Sequence, residues 1–289
     1  MRVPRALALC LALAALVPAR AHAQAVGEPN VTWARDGTIT GAALVGVGLA
    51  HLIAVDRTAV WQRQLLPIDD RLKGRASLAA FRMSDVLGAV DVVTPLGLLV
   101  GQGGGFDEAT GKRLLLNTVT KRLVGRPRPY VYSADPRVQE FVAERGDDSH
   151  LSFYSGHATT TFAAAVAGSY LYGQHATDKT SRAVVWSFEL ALAGASADLR
   201  TRAGAHFYSD VIVGAVVGAG IGFVVPYLHG GPAYHPSAGE WAAIATAPVV
   251  GVVVGELLPA KPSVPTSLGT VALPWVAPGG GGIMLARRF

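Results

Sequence analysis

Arg200-Thr201-Arg202-Ala203-Gly204-Ala205-His206-Phe207-Tyr208-Ser209-Asp210 is a dense polar stretch, and directly behind it Val211–Gly239 runs without a single Asp, Glu, Lys or Arg. An uncharged run of that length behind a polar head reads as a buried or membrane-embedded helix. Within it Gly214, Gly218 and Gly222 fall four apart, so one helix face lets a neighbouring backbone come close. His206 and Asp210 are also four apart. On a helix they would share a face, where a carboxylate can orient an imidazole, fix its tautomer and raise its basicity. The same spacing also suits a local ion pair or a His/Asp metal-ligand pair.

Working outward, Gly37–Val55, Val92–Phe106, Leu151–Thr177 and Trp241–Gly255 are likewise free of charged residues. Two more amphipathic stretches, Glu108–Val124 and Ser181–Ala197, complete the pattern; Glu189 lies in the second. The expected fold class is therefore all-α, a six-helix bundle ahead of Gly230, with Trp241–Glu256 as a candidate seventh helix. Gly101–Gly105 is a glycine-rich connection, and Gly230-Gly231-Pro232 ends the last long helix. Thr270–Ala277 and Ile283–Phe289 flank Gly279–Gly282, which reads either as a hairpin or as a flexible tail. The helical domain is placed at residues 36–229, behind a short lead at 24–35, with a C-terminal extension of uncertain structure at 230–289.

The first 23 residues read as a secretory signal. Arg2 and Arg5 precede the apolar run Ala6–Val17, and Ala21-His22-Ala23 supplies the cleavage pattern, leaving Gln24 first. Removing Arg2, Arg5 and Arg20 lowers the formal charge from +5 to +2, with 22 basic against 20 acidic residues. That balance gives no reason to expect nucleic acid as a partner. The only cysteine, Cys10, leaves with the signal, so no disulfide or thiolate metal site is expected. Hydrophobic residues make up 51% of the 289-residue chain and charged ones 16%, against a globular norm of about 25% charged. The expected location is outside the cytoplasm, in a membrane with the site facing the periplasm, the alternative being a soluble periplasmic protein.

Two further motifs stand ahead of the opening stretch. Lys121-Arg122-Leu123-Val124-Gly125-Arg126-Pro127-Arg128-Pro129 ends a helix in a stiff turn that presents Arg126 or Arg128 beside Lys121; a basic anchor at a membrane interface is the alternative. In Ser152-Phe153-Tyr154-Ser155-Gly156-His157, Ser155 is a good N-cap for the apolar run Ala158–Tyr172. Gly156 admits a ligand close to the backbone, and free N–H groups at a helix start attract anions. His157 sits on that first turn.

Lys121, Arg128-Pro129, then Ser155-Gly156-His157, then Arg200, His206 and Asp210 together resemble the type-2 phosphatidic acid phosphatase superfamily. That superfamily also holds bacterial nonspecific acid phosphatases and vanadium haloperoxidases. The resemblance covers about residues 36–228 and implies the helical bundle of that superfamily. It implies a metal-independent phosphatase acting on phosphate monoesters, lipid phosphates or small soluble ones, with no cofactor and with vanadate as inhibitor. His206 would attack phosphorus and form a phosphohistidine, Asp210 would hold His206, and His157 would protonate the leaving group. Lys121, Arg128 and Arg200, with Ser155, Gly156 and the extra basic Arg126, would bind the phosphate. Two positions depart from the family pattern, Tyr154 for Pro and Leu199 for Ser, and both bear on substrate preference and rate. The competing expectations are a vanadium haloperoxidase, for which the chain is short, and a non-catalytic membrane protein with a relic pocket.

Overall fold

A computed structural model describes residues 33–55, 65–100, 107–228, 234–263, 270–277 and 280–287. The signal at 1–23, the connection Gly101–Gly105 and the breaker Gly230-Gly231-Pro232 lie outside the described residues. The α-helices, in chain order, are α1 (Trp33–Ala50), α2 (Leu78–Val100), α3 (Asp107–Val124), α4 (Pro136–Arg145), α5 (Gly156–His175), α6 (Lys179–Arg202), α7 (Tyr208–Leu228) and α8 (Ala238–Leu257). The six long helices expected ahead of Gly230 correspond to α1, α2, α3, α5, α6 and α7, and the candidate seventh to α8; the helix read at Val92–Phe106 starts earlier, at Leu78, because the part before Val92 carries Arg82, Asp85 and Asp91 and so was not part of the uncharged run. The short α4 is an addition. It carries Arg137, Glu140, Glu144 and Arg145 in ten residues, so it has no long apolar run to announce it. Its start was nonetheless written in the chain: Asp135 accepts a hydrogen bond from Arg137 N at 2.9 Å, and Pro136 takes the first helical position.

Beyond the bundle, β1 (Thr270–Ala277) and β2 (Gly280–Arg287) pair antiparallel, Thr270 opposite Arg287 and Ala277 opposite Gly280. Of the two C-terminal alternatives the hairpin is the one found. Gly280–Gly282 lie inside the second strand rather than in the turn.

Caps fix where the other helices begin. Ser155 accepts from Ala158 N at 3.3 Å at the start of α5, and Asp178 accepts from Ser181 N at 2.7 Å at the start of α6. At α8, Glu240 accepts from Ser237 N at 2.8 Å. Each satisfies a donor that the first turn leaves unpaired.

Two glycine seams set how closely the helices pack. A Cβ built on Gly214 would lie 2.6 Å from Ser155 O, one on Gly218 2.3 Å from Thr159 O, and one on Gly222 2.5 Å from Ala163 O. The spacing of four on α7 therefore meets a spacing of four on α5, and the backbones touch. Between α6 and α8, a Cβ on Gly194 would lie 2.2 Å from Pro248 O and one on Gly251 2.0 Å from Ala191 O. Ala158, Phe162, Tyr170, Trp186, Leu190, Val211 and Ala243 fill the core between these pairs. α2 packs across α5 and α6.

The outer surfaces of α7 and α8 are apolar. Both helices are long and apolar enough to cross a membrane, and only 28% of each hydrophobic window is buried inside the protein. Val216, Leu228, Trp241, Val249 and Leu257 are among the large side chains left facing outward. At 21 and 20 residues, each helix is about 30 Å long, matching a bilayer's hydrocarbon core.

The ends of α3 and α6 and the starts of α5 and α7 meet at one end of the bundle, and all three sequence motifs lie there. The seam predicts a sharp contrast. Gly218→Ala should lower stability by about 1–3 kcal/mol through overpacking. Gly220→Ala, with nothing within 4 Å of its added methyl group, should be neutral or stabilising by up to about 1 kcal/mol. Thermal unfolding of the two variants in detergent checks this, and equal effects would refute the seam.

Candidate active site

The three motif loops are stitched together by backbone. Ser152 N donates to Arg126 O at 3.0 Å, Arg128 N to Ser149 O at 2.8 Å, Tyr130 N to Gly204 O at 3.2 Å, and Ser155 N to Asp210 O at 3.0 Å. Gly204 turns the third loop with φ +71°, and a Cβ there would sit 1.8 Å from Arg75 O. Only glycine fits that turn. The turn returns Ala205 N and His206 N to Arg200 O at 3.1 and 3.3 Å, bringing His206 back beside Arg200.

His206 lies in this loop rather than on α7, which starts at Tyr208. Its Nδ1 is 2.8 Å from Ser152 O. A carbonyl oxygen only accepts, so Nδ1 carries the proton and Nε2 keeps a free lone pair. Asp210 does not hold this nitrogen by a hydrogen bond: its Oδ2 is 3.9 Å from Nδ1. The expectation that the carboxylate fixes the tautomer directly is corrected, because the one-face argument required both residues on one helix. Asp210 instead organises the loop. Its Oδ2 accepts from Ser152 Oγ at 2.5 Å and from Phe207 N at 2.8 Å, and its Oδ1 pairs with Arg126 Nη1 at 2.5 Å.

Arg126 is correspondingly not placed for a ligand. Its guanidinium is divided between Asp210, Asp69 (2.8 Å) and Ser209 Oγ (2.7 Å), and stacks 4.5 Å over the Phe207 ring. Asp69 in turn accepts from Ser209 N at 3.0 Å. Arg126 therefore braces the loop, a second correction to the phosphate-binding set.

The other expected cations converge on His206. Burial first, then the charges of Lys121, Arg128, Arg200 and His157, hold its imidazole well below the ordinary value, so it stands neutral at pH 7. Lys121, in the last turn of α3, is lowered to about 7 by burial and by Arg128, with Asp148 opposing and Arg200 adding to the effect. Arg128 is held by Asp148, Nε to the backbone O at 2.8 Å and Nη2 to Oδ1 at 3.0 Å, and it reaches Ala205 O at 3.1 Å. Burial opposes ionisation of Asp148, but Arg128, Arg145 and Lys121 hold its carboxyl below the usual value. Arg200 lies with Nη1 3.2 Å from Ser84 Oγ, its guanidinium 4.3 Å from the Phe81 ring centroid.

Ser155 and Gly156 open α5 as expected, and the Ser155 hydroxyl, accepting from Ala158 N, keeps its own proton to donate. Asn117 Nδ2 donates to Tyr154 O at 3.0 Å, and a Cβ on Gly156 would lie 3.0 Å from Asn117 Oδ1. His157 Nε2 lies 3.0 Å from Asp85 Oδ1.

Asn117, Asp148, Ser152, Asp69, Ser84 and Asp85 were not singled out in the sequence. Asn117 stands four before Lys121 on α3, so helical spacing was a signal for it. Asp69, Ser84 and Asp85 come from segments remote in sequence and carried none. Among the described residues no group of three or more His, Cys, Asp or Glu is arranged to hold a metal ion.

Residues 109–232 match the sequence profile of the PAP2 superfamily. No curated protein shows a match to the chain. The crystal structure of a transmembrane PAP2-type phosphatidylglycerolphosphate phosphatase from Bacillus subtilis aligns at 22% identity, over 79% of this chain and 96% of that one, with a TM-score of 0.36.

Lys121 gives the site a pH signature. Its charge is present below about 7 and lost as pH rises through that value. Binding of sulfate, whose charge is constant across this range, should weaken as pH rises through about 7, and Lys121→Arg should move that loss to higher pH. Calorimetric titration at several pH values checks this. Sulfate affinity that is level from pH 6 to 9 would contradict the placement of Lys121.

Proposed function

We propose that the chain is a membrane-integral, metal-independent phosphatase that hydrolyses phosphate monoesters of lipids through a phosphohistidine at His206, a reading supported by the match of residues 109–232 to the PAP2 superfamily profile. The observation that carries this reading is the 2.8 Å contact of His206 Nδ1 with the Ser152 carbonyl, which leaves Nε2 unprotonated close to Lys121, Arg128 and Arg200. A bare nucleophile inside a ring of cations suits attack on a phosphate dianion. The apolar outer faces of α7 and α8 support a membrane setting, and a lipid ester is the substrate such a setting brings to the end of the bundle.

In the first step the Nε2 lone pair attacks phosphorus while the bond to the ester oxygen breaks. His157 gives its proton to that oxygen, and the alcohol leaves. Lys121, Arg128 and Arg200 hold the nonbridging oxygens, with the Ser155 hydroxyl and the Gly156 N–H as further donors. In the second step His157 takes a proton from water, the hydroxide attacks phosphorus, and inorganic phosphate departs, returning His206 to its starting form. The signal-like first 23 residues support export, which would set the site on the periplasmic side.

His206→Ala should lose both turnover and acid-labile phosphoenzyme. His157→Ala should keep the labelling and retain relatively more activity on a nitrophenyl ester than on an alkyl ester, since general acid assistance is worth about 10²–10⁴-fold and a good leaving group needs less of it. Labelling and phosphate release on both esters check this. Labelling lost in His157→Ala but kept in His206→Ala would reverse the roles.

Activity should also survive EDTA and fall with orthovanadate, because fixed cations take the part of a metal and vanadate adopts the five-coordinate geometry of the transfer. Activity abolished by EDTA and restored by a divalent metal would remove the mechanism.

A further inference from the structure

Asp85 lies on α2, a helix that carries none of the three motifs. Its Oδ1 is 3.0 Å from His157 Nε2 and 3.5 Å from Arg200 Nη1. The side chain is 15% exposed against 35% for His157, so the carboxylate is mostly withdrawn from solvent while about a third of the imidazole is open to it. α2 turns one face to this place: Phe81 lies under the Arg200 guanidinium, Ser84 takes Arg200 Nη1, and Asp85 takes His157. One turn on, a Cβ at Gly88 would lie 3.7 Å from His157 Cδ2 and 3.7 Å from Thr161 Cγ2, so the helix approaches the imidazole at van der Waals distance.

The chemistry of the contact constrains the ring. A carboxylate only accepts, so Nε2 carries a proton whenever it is bonded to Asp85. Nδ1 is then the nitrogen left to exchange a proton with the leaving oxygen or with water. Burial first, then the charge of Arg200, lowers the His157 imidazole to about 4, with Asp85 opposing the effect and Lys121 adding to it. Asp85 is the carboxylate in direct contact with the ring, and its charge favours the protonated form that an acid must hold before the ester bond breaks.

We propose that Asp85 is a positioning residue for His157: it fixes the Nε2–H tautomer, confines proton exchange to Nδ1, and keeps the imidazole able to protonate poor leaving groups. This rests on the phosphatase reading above. In the first step the Nδ1 proton passes to the ester oxygen, leaving a neutral ring still bonded to Asp85 through Nε2–H. In the second step Nδ1 takes a proton from water and the imidazolium is restored, so no net proton is gained or lost at the pair. A long-chain alcohol is a poor leaving group, so the device suits alkyl and lipid phosphates more than aryl phosphates.

The test uses the full chain in detergent, with octyl phosphate and para-nitrophenyl phosphate as the two esters. Asp85→Asn keeps the size and an accepting oxygen but removes the charge. The expected result is a kcat on the octyl ester lower by about 10–100-fold, the range found when the carboxylate partner of a metal-bound histidine is lost. The nitrophenyl ester should lose several-fold less, and phosphoenzyme should still form from it. Asp85 also meets Arg200, and damage to phosphate binding alone would raise KM for both esters alike and leave the ratio of their kcat values in place.

Asp85→Glu, which restores the charge, should recover part of the ratio. In a His157→Ala background Asp85→Asn should change the ratio no further. Where the Asn variant fails to fold, Asp85→Ser carries the same expectation. An octyl-to-nitrophenyl ratio unchanged from wild type in a folded Asp85 variant overturns the proposal while leaving the phosphatase reading intact. A wild-type chain that releases phosphate from neither ester overturns both.

Discussion

A carboxylate inside an apolar helical bundle needs partners for its charge, and Asp210 finds them in all three motif loops. Arg126 comes from the first, Ser152 from the second and the Phe207 N–H from the third, while the Asp210 carbonyl accepts from Ser155 N. These bonds fix the position of Ser152, and the Ser152 carbonyl sets the proton on His206 Nδ1. Asp210 thus acts on His206 at one remove: it places the backbone oxygen that selects the tautomer. Asp69 completes the arrangement by taking the other half of the Arg126 guanidinium, so the buried arginine is balanced by two buried acids. Breaking such a set by removing one member is expensive, because it strands the others without partners.

The loops can be held this tightly because the helices behind them are in backbone contact. Gly214 faces the carbonyl of Ser155 itself, so the first rung of the α5–α7 seam is also the N-cap of the helix that carries His157. Side chains at these positions would move the start of α5 away from the start of α7, and with it His157 from His206. The α6–α8 seam acts at the far side. It positions the C-terminal end of α6, where Arg200 lies, and Arg202 there binds the carbonyls of Gly255 and Leu258 at the end of α8. Small residues in this protein therefore act on the chemistry through distance.

How much of this was legible follows from the range of each interaction. The long helices were legible because an uncharged run is a local property, and the glycine spacing pointed to close packing before any partner helix was known. The ring of Lys121, Arg128, Arg200, His157 and His206 was legible as a pattern of motifs. The roles of Arg126 and Asp210 were misread because adjacency in sequence stood in for adjacency in space. Arg126 lies two residues from Arg128 and so looked like a second ligand to the same anion, but its guanidinium points to Asp69, some sixty residues away in the chain. Asp69, Ser84 and Asp85 lie in segments that carry no motif, and an acidic residue there is indistinguishable from a solvated one until the fold brings the arginine or histidine to it.

The site also shows why charge and apolar surface coexist in a chain so poor in charged residues. Its cations are concentrated where four helix ends meet, and acids tied to them neutralise part of the charge: Asp148 with Arg128 and Arg145, Asp210 and Asp69 with Arg126, Asp85 with Arg200 and His157. Among the described residues Lys121 has no carboxylate partner of this kind in direct contact, and burial and the neighbouring Arg128 lower it to about 7. An incoming phosphate dianion would supply the missing negative charge and stabilise the protonated amine. Under the proposed phosphatase reading, ligand and lysine would complete each other's electrostatics, and a doubly charged monoester would be favoured over the neutral or singly charged groups that a bare apolar pocket would accept.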